Sequence, residues 1–309
     1  MDERQIMETE KPYMVENKPA KSGIGKRIGY FFLSLSPIAA SLIAQIGIGV
    51  VYMILMGIIS MVQYQAANPG VTQTELMRVY EEACANSASG MVFWYHLLSL
   101  PIFGLWYYFG CGRPKVKKSF QNVTVKAVVI AFLGGVALCL MSNGIVGIEY
   151  YLVPEIVEDA AEMMQTAGLG VALLANLAAV LLAPIGEEIL CRGIVLHYAK
   201  KSLPRFWAAN VLQAVLFGFL HLNWVQGVYA FFIGLMLGYL TERFHSLIPA
   251  MLLHFVVNFS STVWVDKVLV FLPDTFPTYI ILTAVTAVAV ILLVWWGGSV
   301  RKENNQESS

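Results

Sequence analysis

Charged side chains are scarce in this 309-residue sequence: Asp, Glu, Lys and Arg make up only 13% of it, whereas hydrophobic residues make up 58%. Soluble domains carry about 25% charged residues, so this composition excludes an ordinary soluble domain. The 20 basic and 20 acidic residues cancel, and without a net positive field no nucleic-acid partner is expected. We expect lipid to be the solvent for most of the chain.

Cysteine motifs and a signal-peptide pattern are also lacking. The four cysteines stand far apart with no CxxC spacing, which indicates neither a disulfide framework nor a structural zinc site: Cys84, Cys111, Cys139 and Cys191. The first 27 residues are polar and charged, and the apolar stretch after them is longer than the core of a signal peptide. We therefore predict that residues 1–27 are retained as a cytoplasmic tail.

Long apolar runs are the main feature that is present. A membrane-spanning helix needs about 20 apolar residues. This criterion predicts eight spans, near residues 28–62, 90–110, 124–147, 168–199, 205–222, 225–243, 247–265 and 276–298. The first and fourth runs exceed what a bilayer requires, which indicates tilt, a break or a helix along the interface. The predicted fold is an all-α, polytopic transmembrane helix bundle.

The distribution of basic residues predicts the orientation of the bundle. With a cytoplasmic N-terminus, the predicted outside segments hold only Arg78 and Lys267 as basic residues, and the basic residues of the tails and the other loops fall on the inside. This bias follows the positive-inside rule and places both termini in the cytoplasm of a multi-pass cell-membrane protein. We divide the chain into an N-terminal tail (1–27), N-terminal transmembrane helices (28–164), helices with a candidate site (165–262), a final transmembrane helix (263–300) and a disordered tail (301–309).

Two predicted external segments, 63–89 and 148–167, are longer than simple connecting loops. In the first, Thr72 followed by Glu75 is typical of a capping box that opens a short helix through Leu76, Val79 and Tyr80. Such a helix is either a lid or a surface helix, and the surface helix is the simpler interpretation.

The fourth span carries ionisable residues at membrane depth in the segment APIGEEILCRG. A charged side chain in hydrocarbon costs at least about 2.5–3.5 kcal/mol, so each one is a functional-site hypothesis. Glu188 and Arg192 are four residues apart on one helix face, where they can form an ion pair, whereas Glu187 points elsewhere. Pro184 and Gly186 precede the pair and can loosen the helix. Alternatively, the ion pair of Glu188 and Arg192 only holds the helices together, and a protonated Glu187 is hydrogen-bonded to a neighbouring helix.

Two later spans carry imidazole and amide groups. His221 lies at the far end of the fifth span, and the seventh places His254 and Asn258 one helical turn apart. Counted from the predicted cytoplasmic ends, depths are about 20 Å for Glu187, about 24 Å for His221 and about 10 Å for His254. For these three side chains to meet, tilt, a broken fourth helix or displaced helix boundaries must remove the difference in depth. Alternatively, each histidine is an ordinary core residue.

Three motifs occur in order: EExxxR at Glu187–Arg192, FxxxH at Phe217–His221 and HxxxN at His254–Asn258. With them the chain resembles, over roughly residues 165–262, the CPBP intramembrane protease family. That family joins CAAX prenyl endopeptidases to bacteriocin-processing and Abi-type immunity proteins.

The resemblance implies a role for each residue of the motifs. Glu187 with His221 would activate the attacking water, Glu188 with Arg192 would hold the geometry of the site, and His254 with Asn258 would stabilise the oxyanion. Members of the family are commonly called metalloproteases, and Glu187, His221 and His254 would make a His₂Glu set of the type that holds zinc. A metal-free glutamate mechanism is the alternative, and the HExxH zinc motif is absent from the sequence.

We therefore expect an intramembrane endopeptidase that acts on a membrane-associated substrate, either a prenylated CAAX-type protein or an unmodified, bacteriocin-like peptide. Membrane lipid and that peptide or lipidated protein are the expected partners. A non-enzymatic immunity or scaffold protein of the same fold is the alternative. A proton-coupled transporter is disfavoured because the chain shows no two halves of similar hydropathy.

Overall fold

The computed structural model describes residues 23–121 and 123–300. Most of the predicted cytoplasmic tail (1–27) and all of the predicted disordered tail (301–309) lie outside these residues. In chain order the helices are α1 (Ile24–Ala67), α2 (Gln73–Ala85), α3 (Ala88–Gly110), α4 (Arg113–Ser119), α5 (Val125–Leu152), α6 (Pro154–Thr166), α7 (Leu173–Ser202), α8 (Phe206–Phe219), α9 (Trp224–Phe244), α10 (Ile248–Val263), α11 (Val265–Leu269) and α12 (Phe276–Gly297).

The described part of the chain is an all-α bundle without strands, as predicted. Helices α1, α3, α5, α7, α9 and α12 are long and apolar enough to cross a membrane. The apolar helices α8 and α10 have only 14 and 16 residues. At 1.5 Å per residue they measure about 21 and 24 Å, less than the ~30 Å hydrocarbon layer. The fold is thus that of a multi-pass membrane protein, and the count of eight spans stays a prediction.

The segment between α1 and α3 forms the predicted external helix, α2. Its first turn carries a complete capping box, in which Thr72 Oγ1 accepts from the Glu75 backbone N–H and the Glu75 carboxylate accepts from the Thr72 N–H at 3.0 Å. Tyr80 packs so closely on Gly57 of α1 that a Cβ there would overlap its ring. The α2 helix therefore lies along α1, which at 44 residues extends about 66 Å.

The centre of the bundle is α5, which packs against α9, α10 and α12. Gly135 of α5 faces Val256 of α10, and a Cβ at Gly135 would lie 2.7 Å from the Val256 Cβ. In lipid, where apolar surface brings little driving force for association, small residues allow such close packing of helices. This contact fixes the position of α10, which carries His254.

The α7 helix is irregular on both sides of its glutamate pair, with π-helical turns at Ala178–Leu182 and Ile189–Val195. The Ala183 N–H bonds to Ala178 O, five residues back. The next bond of this pattern would run from residue 184 to Ala179 O, but Pro184 has no N–H to donate. The loosening predicted from Pro184 thus takes the form of a π turn that leaves the Ala179 carbonyl without a helical donor.

A tight hairpin joins α8 to α9. The chain reverses at His221 and Leu222, and Leu222 adopts a left-handed conformation with φ of 51°. The Asn223 side chain caps α9 by accepting from the Gln226 N–H. Gly218 and Gly227 lie backbone to backbone across the hairpin, since a Cβ on Gly218 would lie 2.6 Å from Gly227 O. This close approach holds the end of α8 and the turn after it, where His221 is located.

Candidate functional site

A buried cluster joins α7 to α10. Glu188 Oε1 accepts from Arg192 Nη1 at 2.9 Å and lies 2.9 Å from His254 Nδ1. The side chains of Glu188 and Arg192 are fully buried, so the ion pair predicted between them lies entirely out of solvent. A carboxylate paired with a guanidinium only accepts, so the hydrogen of the His254 ring is assigned to Nδ1. The other ring nitrogen, Nε2, therefore points away from Glu188.

Glu187 occupies a different environment from its neighbour. Its Oε2 lies 3.9 Å from His254 Nε2, too far for a direct hydrogen bond, and 19% of its side chain is exposed. Glu188 has no exposure at all. The structure therefore separates the two adjacent carboxylates into a buried one that orients His254 and an accessible one that faces the free nitrogen of the same ring.

Phe217 of α8 brings the two predicted histidines together. Its ring centroid is 5.1 Å from that of His221 and 5.7 Å from that of His254, edge-on in both cases. The Arg192 guanidinium lies 4.3 Å from the same ring, in cation–π geometry. His221 Nδ1 lies 2.9 Å from Phe217 O, and a carbonyl only accepts, so Nε2 of His221 is its free acceptor nitrogen.

The unequal depths estimated for the histidines are explained in part by displaced helix starts. Phe217 is eleven residues after Phe206 and His254 is six after Ile248, yet the two side chains touch. Helices α8 and α10 run in the same direction, so α8 begins about 7.5 Å further from the level of the site than α10 does. The hydrogen bond from Leu247 N to Ser119 O ties the start of α10 to the end of α4.

Asn258 has a partner that the sequence analysis did not anticipate. Its Nδ2 donates to Ala179 O at 2.7 Å, the carbonyl that Pro184 leaves without a helical donor. One turn from His254, Asn258 thus binds α10 to the irregular part of α7. The amide nitrogen carries two hydrogens, and the second is not used in this bond.

Behind the cluster lies a buried polar network that the motifs did not reveal. Arg192 Nη2 and Gln213 Nε2 both donate to Gly234 O, at 3.3 and 2.9 Å. Gln213 also donates to Asn210, whose amide donates to Leu235 O. The signal in the sequence was an Asn and a Gln three residues apart on one face of an apolar helix.

His96 of α3 is a further polar residue at this level that sequence reasoning missed. It is partly buried, and its imidazole is close enough to Glu187, His254 and His221 for electrostatic interaction with all three. The signal was a lone histidine in the apolar run WYHLL, a pattern usually attributed to an ordinary core residue.

The predicted zinc ligands do not form a metal site. Within residues 23–121 and 123–300, no three His, Cys, Asp or Glu side chains are arranged to hold a metal ion. Glu187, His221 and His254 lie near one another, but His254 Nδ1 is held by Glu188 and Nε2 is 3.9 Å from Glu187. The three residues do not fit a zinc ion in this arrangement, and zinc stays a prediction from the family resemblance.

The fold and the cluster define a polytopic membrane protein with carboxylate, guanidinium and imidazole groups gathered between its helices. Residues 169–260, from just before α7 into α10, match the family model described as Rce1-like, type II CAAX prenyl endopeptidase Rce1-like. This match covers 92 of the 309 residues and supports the resemblance found in the three motifs, that to the CPBP proteases of CAAX type. No curated protein and no solved structure matches the chain.

Proposed function

We propose that this protein is an intramembrane endopeptidase of the cell membrane that hydrolyses a peptide bond of a membrane-associated peptide or lipidated protein. One observation carries the proposal: the accessible Glu187 carboxylate faces Nε2 of a histidine whose Nδ1 is held by a buried ion pair. An ion pair that only stabilises the helix packing needs no carboxylate besides Glu188 and no cation besides Arg192. The second carboxylate, partly exposed and without a direct hydrogen bond from His254, is suited to chemistry.

Glu187 is the proposed general base. Its carboxylate takes a proton from a water molecule, and the hydroxide adds to the scissile carbonyl carbon to give a tetrahedral intermediate. His221 assists by accepting from the same water through its free Nε2. The proton on Glu187 then passes to the amide nitrogen, the C–N bond breaks, and an acid and an amine leave with Glu187 ionised again.

His254 and Asn258 are the proposed oxyanion donors. To donate from Nε2 while Nδ1 bonds to Glu188, the His254 ring must carry both protons. Asn258 has one N–H beyond the bond to Ala179 O. Fixed donors aimed at developing negative charge are most effective where water is scarce, as between these helices.

Cleavage of reporter peptides tests the proposal. The purified protein is incubated with prenylated CAAX-type peptides and with unmodified peptides, and Glu187→Gln and His221→Asn are compared with wild type. Glu155→Gln, on the exposed surface of α6, is the matched control. We expect Glu187→Gln to lower kcat at least ~100-fold, the usual contribution of a general base, and Glu155→Gln to leave it unchanged.

Two results contradict the proposal. One is equal cleavage by wild type and both site variants. The other is no cleavage of any peptide by wild type, which would favour the non-enzymatic immunity or scaffold function. Addition of a chelator, followed by zinc, to the active protein addresses the metal separately, and the prenylated and unmodified arms separate the two substrate classes.

A further inference from the structure

Helix α4, outside the family-matched segment, presents a basic surface at one end of the bundle. Residues 111–126, which include α4, hold five basic residues and no acidic one. Arg113, Lys117 and Lys118 are exposed, whereas Val116 packs on the hydrophobic core. The helix therefore has an apolar side toward the bundle and a charged side away from it. We call Arg113, Lys117 and Lys118 the basic face of α4.

The last residue of α4, Ser119, is bonded to the start of the helix that carries His254. Ser119 O accepts from Leu247 N at 2.7 Å and from Ser246 Oγ at 3.0 Å. Both donors belong to fully buried residues just before α10. The Ser119 hydroxyl is also 2.6 Å from that of Tyr107, near the end of α3. Whatever holds α4 in place therefore also holds the start of α10.

Neighbouring helix ends add to the positive charge at this end. Lys126 at the start of α5 and Arg243 at the end of α9 both donate to Gly297 O, at 3.5 and 2.9 Å. Within residues 23–121 and 123–300, the one acidic side chain at this end is that of Glu242, and it is paired with Lys200 at 2.6 Å. The charge of the basic face is therefore not cancelled by nearby carboxylates.

Aromatic rings mark this end as the level of lipid headgroups. The Arg113 guanidinium lies 5.1 Å from the Tyr108 ring, and Lys126 Nζ lies 5.7 Å from the Trp296 ring. Trp296 and its neighbour Trp295 are exposed. Tyrosine and tryptophan are enriched where a membrane meets water, and basic side chains at that level extend toward the headgroups. The basic face of α4 is thus at the depth where phosphate groups lie.

We propose that the basic face of α4 binds the headgroups of anionic phospholipids, and that this contact fixes the start of α10. Helix α4 connects α3 to α5, two helices long enough to cross a membrane, so headgroups surround it at high local concentration. A negatively charged membrane surface attracts each basic residue within about a Debye length, and the attractions add. This binding surface goes beyond the proposed proteolysis and does not depend on it.

Lipid titration tests the binding. The purified protein in detergent is titrated with phosphatidylglycerol or phosphatidylcholine, and bound lipid is counted by native mass spectrometry. We expect wild type to bind phosphatidylglycerol at least ~10-fold more tightly than phosphatidylcholine, and Arg113→Gln combined with Lys117→Gln to lower the phosphatidylglycerol affinity at least ~10-fold. Equal affinities of wild type for the two lipids, or an unchanged affinity in the double variant, overturn the proposal.

The control is Arg78→Gln combined with Lys267→Gln, which removes the same charge from exposed positions on α2 and α11. Its affinity for phosphatidylglycerol is expected to equal that of wild type. A loss as large as that of the α4 variant would mean that only the total charge matters, and would overturn the assignment to α4.

Backbone hydrogen exchange tests the link to α10 without any substrate. Wild type and the α4 variant are compared in phosphatidylcholine nanodiscs with and without phosphatidylglycerol. We expect phosphatidylglycerol to slow exchange in residues 248–255 at least ~3-fold in wild type and not in the variant, because the anchored α4 restrains local opening. Unchanged exchange in wild type overturns the link. Equal slowing by inorganic phosphate without phosphatidylglycerol overturns lipid as the ligand. Neither measurement uses cleavage, so both still decide if the proposed function fails.

Discussion

His254 Nδ1 and Glu188 Oε1 lie 2.9 Å apart, and the same oxygen accepts from Arg192 at the same distance. This shared oxygen gives the adjacent glutamates different tasks. Glu188 is enclosed and sets the orientation of His254, while Glu187 is left facing the opposite nitrogen of the ring. Substitution of Glu188 should therefore lower mainly the stability of the fold, whereas substitution of Glu187 should lower mainly the rate of cleavage.

Glu188→Gln is expected to destabilise the fold, and Glu187→Gln is not. The first leaves the Arg192 charge buried without a counter-ion, a loss of about 3–5 kcal/mol in the free energy of unfolding for a broken buried pair. The second changes a partly exposed group that has no hydrogen bond from His254. Thermal unfolding of both purified variants measures the difference. Equal Tm values would show that the buried pair does not stabilise the bundle.

Phe217→Leu should weaken both stability and the alignment of the histidines. It removes the ring that contacts Arg192, His221 and His254, and we expect a loss of at least ~2 kcal/mol from cation–π and packing terms together. Phe219→Leu, on the exposed face of the same helix, is the matched control and should unfold like wild type. Similar Tm values for the two variants would refute this role of the Phe217 ring.

Asn258→Ala should cost about 1 kcal/mol of stability by leaving Ala179 O without a donor. The cost is expected to shrink in a Pro184→Ala background, because residue 184 then supplies its own N–H to that carbonyl. Unfolding of the two single variants and the double variant measures the coupling. A cost of Asn258→Ala that is the same in both backgrounds would contradict the pairing.

Gly218→Ala should disrupt the hairpin more than Gly227→Ala. The new Cβ would lie 2.6 Å from Gly227 O in the first case and 3.3 Å from Gly218 O in the second. The first contact requires movement of backbone, so we expect overpacking of about 1–3 kcal/mol and displacement of His221. We expect Gly218→Ala to lower both Tm and the rate of cleavage, and Gly227→Ala to lower neither. Equal stability of the two variants would contradict this prediction.

Much of the fold follows from composition and local chemistry. Apolar run lengths predict the helices of the bundle, and the pair Thr72 and Glu75 predicts α2 with its capping box, as observed. The spacing of Glu188 and Arg192 predicts their ion pair. These features depend on residues within a few turns of one another, where helix geometry alone decides which side chains meet.

The remaining features depend on how helices are placed relative to one another. The depth of His254 could not be counted from its loop because α8 and α10 start at different levels. His96 was overlooked because its closeness to the site depends on how α3 packs against α7. The partner of Asn258 depends on a carbonyl that a proline exposes in another helix. Such relationships are long-range, and no local pattern predicts them.

The bond from Asn258 to Ala179 O has an evolutionary consequence. A proline that removes a donor from one helix is tolerated here because an amide from another helix replaces it. Among related chains that keep this π turn, loss of the proline at position 184 would relax selection on the structural task of Asn258. A related chain that keeps the amide of Asn258 but lacks the proline would indicate selection on the second N–H of that amide, the one proposed to face the substrate.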